Sequence, residues 1–461
     1  MSNFWDFEVW SWILLFSILL GSLLLGNIIK KAIPLLRRSL IPTSVIGGCI
    51  LLLVEWGYKM ITGDVFFDGG LFGGQGHATL EIITYHTLAL GFIASTLKTT
   101  NRRVTKQRTA EVFNTGVTTV STYLLQAIFG LGITIIAAGV ISGFFPAAGV
   151  LLPFGYGQGS GQALNWGSIY EGLGFVGGRS FGLTIAALGF LSAAIGGVIH
   201  LNIQKKRGKL VLSKRTDGST HTEEINPADE IPLQESIDKI TVQIALILVT
   251  YALTYGMMYL LCTFIKGENM RSIIYGFNFL FGVIAAILVK GIQKFLLKRG
   301  WMKKKHTNNF LMTRASNFFF DVMIVAGVAA IRLDILENYW GIMLLLGGVG
   351  LIVTYIYNRI VAKALFPDYV EEQFLAMYGM LTGTASTGII LLREVDGDFR
   401  TPASDNLVYQ NLPAIVFGFP MMFLASLAPQ NPILTLIIFV LFFTAMNILL
   451  FRERIFKKKK K

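Results

Sequence analysis

Charge is scarce in this chain. Only 15% of its 461 residues are Asp, Glu, Lys or Arg, while 53% are hydrophobic and the mean hydropathy is +0.60. A soluble fold of this length cannot hide so much apolar surface. Cysteine is scarcer still: Cys49 and Cys262 stand alone, each inside an apolar run. Two such residues build neither a disulfide framework nor a zinc-ligand spacing. A basic amino-terminal segment is missing as well. Asp6 and Glu8 precede the first apolar run, where a cleavable secretory signal would carry Lys or Arg.

Long apolar runs are abundant instead. "VWSWILLFSILLGSLLLGNII" (9–29) and "PILTLIIFVLFFTAMNILLF" (432–451) each reach the roughly 20 residues that cross a bilayer core. The pattern predicts spans at 9–29, 40–57, 79–97, 112–140, 180–203, 239–263, 272–297, 310–332, 339–363, 407–428 and 432–452. The expected class is an all-α polytopic membrane protein. The net charge of +13 then reports topology rather than a nucleic-acid partner, because Lys and Arg gather in short loops and in the tail Lys457 to Lys461.

Counting those charges orders the spans. Lys30, Lys31, Arg37 and Arg38 place the first loop inside, and Lys98, Arg102, Arg103, Lys106 and Arg108 do the same for the third. The span at 180–203 runs into "QKKRGK", also inside, so the stretch 143–175 must leave and return on the outer side. Downstream, 367–405 must do the same from the inner side if the lysine tail is cytoplasmic. The expected organisation is an inverted repeat over 1–203 with a re-entrant hairpin at 143–175. A polar cytoplasmic linker (204–238) follows, then a second, oppositely oriented repeat over 239–428 with a hairpin at 367–405. An extra span and basic tail complete the chain (429–461). Each repeat has about five transmembrane helices, the N-terminus lies outside and the C-terminus is cytoplasmic.

The two left-over stretches resemble each other. Tyr156-Gly-Gln-Gly-Ser-Gly-Gln-Ala-Leu-Asn165 aligns without a gap to Tyr378-Gly-Met-Leu-Thr-Gly-Thr-Ala-Ser-Thr387, at an offset of 378 − 156 = 222. The shared pattern is Y-G-x-x-[S/T]-G-x-A-x-[N/T]. Irregular backbone survives at membrane depth only where protein or a watery cavity surrounds it. Where a half-helix begins, free N–H groups suit a carboxylate. Where one ends, free carbonyl oxygens suit Na⁺. Ser160, Gly161, Asn165, Thr382, Gly383, Thr384 and Ser386 are therefore candidate solute contacts, and Gln162 adds an amide. Tyr156, Gly157, Tyr378 and Thr387 are candidate ion contacts. Any one of these hydroxyls alone would equally serve helix packing.

Charged residues near the membrane carry two readings each. Asp321, inside the span 310–332, is either an ion contact or a hydrated rim residue. Glu81 and His86 raise the same choice as proton carriers. Arg393 either clamps a solute carboxylate or pairs with Glu394 or Asp396. Asp405 suits a helix cap. Enzyme classes lack their residues. No Walker lysine follows "GYGQGSG", no strand precedes it, and the one serine–histidine pairing available, Ser160 with His200, places the partners on opposite sides. A channel remains the other membrane class. No cofactor is expected beyond a coupling ion, and no metal beyond Na⁺.

The glycine-rich hairpins in inverted halves, and "GMLTGTASTGIILLREVDGDFRTPAS" (379–404) in particular, resemble the bacterial sodium/glutamate symporter family. The likeness spans most of the chain outside 204–238 and the extreme C-terminus. It implies a multi-pass protein of the bacterial inner membrane, surrounded by lipid, that takes up an acidic amino acid with Na⁺. It also implies a homodimer built on a scaffold domain, with a mobile domain holding both hairpins. Carried over, Ser160, Gly161 and Asn165 on one tip and Thr382, Gly383, Thr384 and Thr387 on the other would touch solute and sodium. The bulky Gln158, Gln162 and Trp166 at the first tip depart from the family pattern and leave room for a differently shaped organic anion, or for protons in place of Na⁺.

Overall fold

In hydrocarbon, backbone N–H and C=O groups can bond only to one another, and this chain satisfies them with helices. The computed structural model describes residues 3–98, 106–208, 230, 237–265, 268–333, 336, 339–397 and 400–456. No strand occurs among them, and ten helices are long and apolar enough to cross a membrane. They are α1 (Phe7–Ala32), α2 (Thr43–Thr62), α3 (Gly76–Leu97), α4 (Lys106–Val140), α7 (Gly178–Lys206), α8 (Lys239–Phe264), α9 (Asn278–Lys298), α10 (Asn309–Ala329), α11 (Trp340–Leu365) and α16 (Pro432–Leu450). Between α4 and α7 stand two shorter helices, α5 (Leu151–Gln158) and α6 (Ser160–Gly172). Between α11 and α16 come α12 (Val370–Thr382), α13 (Ala385–Arg393), α14 (Ala403–Tyr409) and α15 (Asn411–Leu427).

These helices follow the predicted spans with three main differences, one of them that the span expected at 272–297 begins as a spanning helix only at Asn278, after a separate short helix Glu268–Gly276. The span expected at 407–428 is a pair, α14 and α15, bent by 49°. Helix α4 begins at Lys106 rather than near 112. Its first turns carry Lys106, Arg108 and Glu111, which hydropathy excludes but which form helix readily. The tail Lys457–Lys461, Arg102, Arg103 and most of the linker (209–229 and 231–236) lie outside the described residues.

Two compact units interleave along the chain. The larger takes Met1–Gly76, Val104–Thr216 and Gly327–Lys461, and the smaller His77–Arg103 and Asp217–Ala326. Neither coincides with a sequence half, since each draws on both sides of the 204–238 linker.

The smaller unit gathers α3, α8, α9 and most of α10. Helices α3 and α9 run parallel: Asn278 Nδ2 donates to Tyr85 O (3.1 Å), and Lys290 Nζ to Thr96 O and Lys98 O (3.0 and 2.6 Å). That ammonium sits on the last carbonyls of α3, where the negative end of the helix favours it. Leu90, Ile93, Ala94, Leu97, Ile247, Ala286 and Met312 form the core. Here too are Glu81, His86 and Asp321. His86 Nδ1 bonds Tyr251 Oη at 2.6 Å, and Asp321 is exposed.

In the larger unit α4 packs on α15, where a Cβ on Gly116 would lie 2.6 Å from Pro413 Cγ. Arg108, early in α4, pairs with Asp405 of α14 (3.1 Å), and Tyr170, late in α6, donates to Ala425 O, late in α15 (2.8 Å). Helix α7 is buried along most of its length and packs closely because its contact positions are small. A Cβ on Gly182 would lie 2.4 Å from the carbonyl oxygen of Ala163, whereas one on Gly132 of α4 would meet nothing within 4 Å. Gly182→Ala is therefore expected to destabilise by about 1–3 kcal/mol, as overpacking against rigid backbone does. Gly132→Ala should cost nothing. Thermal melts of the two purified variants check the contrast, and equal midpoints would contradict the packing described.

Candidate functional site

The stretch from Phe145 to Phe175 folds back on itself. Its break is Gly159, with φ 82° and ψ −175°, a conformation essentially restricted to glycine. The Phe154 ring stacks on Trp166 with centroids 4.8 Å apart, and Phe145 stacks on Phe175 at 5.0 Å. These pairs are nearly symmetric about residue 160, so α5 and α6 are antiparallel and their outer ends lie together near the start of α7. The second stretch breaks at Gly383, with φ −150° and ψ −104°, and at Thr384, which is extended. A Cβ on Gly379 would sit 2.8 Å from the Cα of Gly388, which makes α12 and α13 a tightly crossed antiparallel pair.

Both pairs pack on α7, from opposite ends. Along the first turns of α7, Gly178 faces Gly167 and Gly182 faces Ala163. Near its far end, Gly196 faces Tyr378 and Gly197 faces Leu391. The two meet between Gly189 and Ser192. A Cβ on Gly189 would lie 2.5 Å from Thr382 O and 3.1 Å from the Tyr156 ring. Tyr156 Oη donates to Gly347 O at 2.6 Å, so Ser192 Oγ, 2.8 Å away, donates its own proton to Tyr156. Tyr378 Oη donates to Ser192 O at 2.7 Å. The tyrosines that open the two sequence motifs thus end on the same serine.

Each tip presents the start of a half-helix. Neither α6 nor α13 has a side-chain cap. Ser160, Gln162 and Asn165 are buried in the first turns of α6, and Gly161 lies within that helix. At the second tip Thr387 is buried, Thr384 half-buried and Ala385 exposed, with Thr384 and Thr387 hydroxyls 3.5 Å apart. Thr382 Oγ1 donates to Tyr378 O of its own helix (2.6 Å), and Gly157 O accepts from Tyr123 Oη (3.0 Å). Ser386 belongs to α13, its side chain outside the described residues. Arg393 ends α13, exposed and roughly 12 Å along the helix from its first residue. Asp321 belongs to the smaller unit.

The structure shifts the register of the motif. Ser160 aligns with Thr382 in sequence, but the first break precedes Ser160 and the second follows Thr382. Gly161 and Gly383 are therefore not equivalent in backbone: one is helical, the other forms a break. The residue that needs left-handed φ is Gly159.

Two polar groupings went unread in the sequence. On α4, Thr115, Thr118, Thr119, Thr122 and Gln126 are all buried. They recur every three or four residues, a helical stripe that hydropathy averages away. Gln126 Nε2 donates to Thr354 Oγ1 (2.8 Å) and to Leu381 O (2.9 Å) beside the second tip. The other grouping ties down the start of α12. His200 Nδ1 meets Tyr355 Oη and its Nε2 meets Glu371 Oε2, both at 2.7 Å, while Arg359 forks onto Glu371 at 2.9 and 2.6 Å. His200 lies 18 residues beyond Gly182, roughly 27 Å along α7, so it serves Glu371 and not Ser160.

Glu371 lies in the first turn of α12, outside the ten spanning helices. Burial pushes its carboxyl up, but hydrogen bonds from His200 and Arg359 and the Arg359 charge outweigh burial and hold it at about 2. No known family model matches the sequence, and no curated protein matches it.

Two outcomes are expected. Because the Glu371 carboxyl is depressed when folded, its stabilisation is present above about 4.5 and is lost as pH falls from there toward about 2. Glu371→Gln should melt lower than the parent at neutral pH, with the gap closing across that window. A gap independent of pH would show that the carboxylate contributes no charge-dependent anchoring. Gly189→Ala should disturb both tips at once. Hydrogen exchange should rise at Tyr156–Gly161 and at Leu381–Thr387 together, whereas a purely local effect would reach only one.

Proposed function

We propose that this chain is a secondary active transporter that takes up a small anionic amino acid, glutamate-like, with Na⁺ by alternating access. The observation that carries the reading is the meeting of two glycine-broken hairpins, from opposite ends of α7, at Gly189 and Ser192. Two uncapped half-helix starts, α6 and α13, approach that stretch, and such starts favour a carboxylate. The carbonyl ends of α5 and α12 lie beside them and favour a cation. In this reading α5/α6 and α12/α13 are re-entrant hairpins of two inverted repeats, with α16 outside the repeat. The larger unit is the part that alternates between the two sides, in a homodimer of the bacterial inner membrane with N-terminus outside and C-terminus inside. The site residues are Ser160, Gly161, Asn165, Thr382, Gly383, Thr384 and Thr387. Arg393 and Asp321 have a weaker claim from their placement. The uncommitted amide of Gln162, buried in the first turn of α6, favours a second reading in which the solute is another organic anion.

Uptake into proteoliposomes tests this. An inward Na⁺ gradient should drive accumulation of an acidic amino acid, and replacing Na⁺ by choline should abolish it. Uptake driven as well by a pH gradient alone would contradict sodium coupling. Gly159→Ala forces a strained backbone worth about 1–3 kcal/mol at the first tip and should abolish transport while folded protein remains. Thr382→Ala should be milder, near the ~1 kcal/mol of one hydrogen bond.

A further inference from the structure

The stripe on α4 meets α11 beneath the end of α12, and it leaves oxygen atoms unmatched. Gln126 and Asn358 are 0% and 2% exposed. Gln126 spends its NH₂ group on Thr354 Oγ1 and Leu381 O. Asn358 spends its own on Thr122 Oγ1 (3.3 Å) and Thr354 O (2.9 Å). Both amides are thereby oriented. Flipping either would press an amide oxygen against a carbonyl oxygen. Their own oxygens, Gln126 Oε1 and Asn358 Oδ1, are left buried without a hydrogen-bond partner. A buried polar atom without a partner is costly and calls for an occupant.

The two amides bond the same residue, Thr354, one at its hydroxyl and the other at its carbonyl, which brings their unmatched oxygens into one buried neighbourhood. The hydroxyls of Thr122 and Thr354 adjoin it. Leu381 O, in the last turn of α12, adds the negative end of a half-helix. The neighbourhood is buried and rich in hard oxygen donors, and none of the described groups named here is a carboxylate. A divalent ion would need carboxylates to offset its dehydration. A monovalent cation does not.

We propose that a sodium ion is held between α4 and α11, under the end of α12, by the amide oxygens of Gln126 and Asn358 with the hydroxyls of Thr122 and Thr354. The assignment rests on the sodium-coupled reading above and gives it an ion site apart from the residues at the tips. It also supplies a means of coupling. Gln126 holds Leu381, and Leu381 adjoins Thr382 and the break at Gly383. An ion that fixes the Gln126 amide fixes the end of α12, and with it the second tip.

Thermal melts of the full chain in detergent, in NaCl or choline chloride at constant ionic strength, provide the test. The parent should gain stability with Na⁺ and not with choline. Gln126→Leu and Asn358→Leu remove one oxygen each at similar volume. Each should raise the Na⁺ concentration for half the effect by at least about tenfold, since losing even an outer partner of a bound metal has that effect. Asn358→Asp keeps the oxygen that faces the ion but sets its second oxygen against Thr354 O, so it should shift that concentration away from the parent's. The same Na⁺ response in both leucine variants as in the parent would overturn the site, as would an unaltered response in Asn358→Asp should the leucine variants fail to fold. Melts of the parent indifferent to Na⁺ would assign the volume to water and also overturn it. Sodium-driven uptake persisting in either case would leave the transporter reading standing. Uptake indifferent to Na⁺ would remove that reading as well.

Discussion

A helix that stops inside hydrocarbon strands its terminal N–H and C=O groups, and everything else in the larger unit follows from how those groups are accommodated. The chain stops helices at Gly159 and at Gly383. It can do so because a third helix, α7, runs past both breaks and is itself bare enough to let them approach. Gly182 and Gly189 remove the side chains that would hold the hairpins off, and Ser192 supplies one hydroxyl and one carbonyl to receive the two tyrosines. Both tips are thereby packed against α7.

The hairpins are fastened by different chemistry at their outer ends. The first is closed by rings: Phe145 on Phe175, Phe154 on Trp166, and Tyr170 reaching Ala425. The second is closed by charge, with Glu371 taking both Arg359 and His200. Stacked rings keep their contact across the ordinary pH range, whereas the carboxylate clamp depends on ionisation. The second hairpin is also tied laterally, through Gln126, to α4 and α11.

Much of this was legible from the residues. Runs such as 9–29 and 432–451 announce spans because the bilayer fixes both their length and their composition. Charge counting singled out 143–175 and 367–405 as stretches outside the spans, and in the structure they hold the short helices α5, α6, α12 and α13. What stayed hidden depends on register and on partners. Aligning Ser160 with Thr382 could not reveal that the breaks fall on different sides of these residues, because backbone geometry at a glycine is not encoded by the glycine alone. The 49° bend between α14 and α15 also went unread, because no glycine marks it and the apolar run continues past it. The α4 stripe was overlooked because a window average dilutes Thr and Gln among Leu and Ile. Only the opposing Thr354 and Asn358 give it meaning.

The double attachment at Ser192 limits how a cavity between the tips could open. Pulling the hairpins apart would break Tyr156 from the side chain of that serine or Tyr378 from its carbonyl, and would expose both to hydrocarbon or to an emptied space. Swinging one hairpin as a door is thus disfavoured from within. For the proposed transport, the cheaper motion keeps α7 and both hairpins together as one rigid carriage. The solute would then ride with its binding groups instead of passing between them, a shuttle in place of a pair of gates.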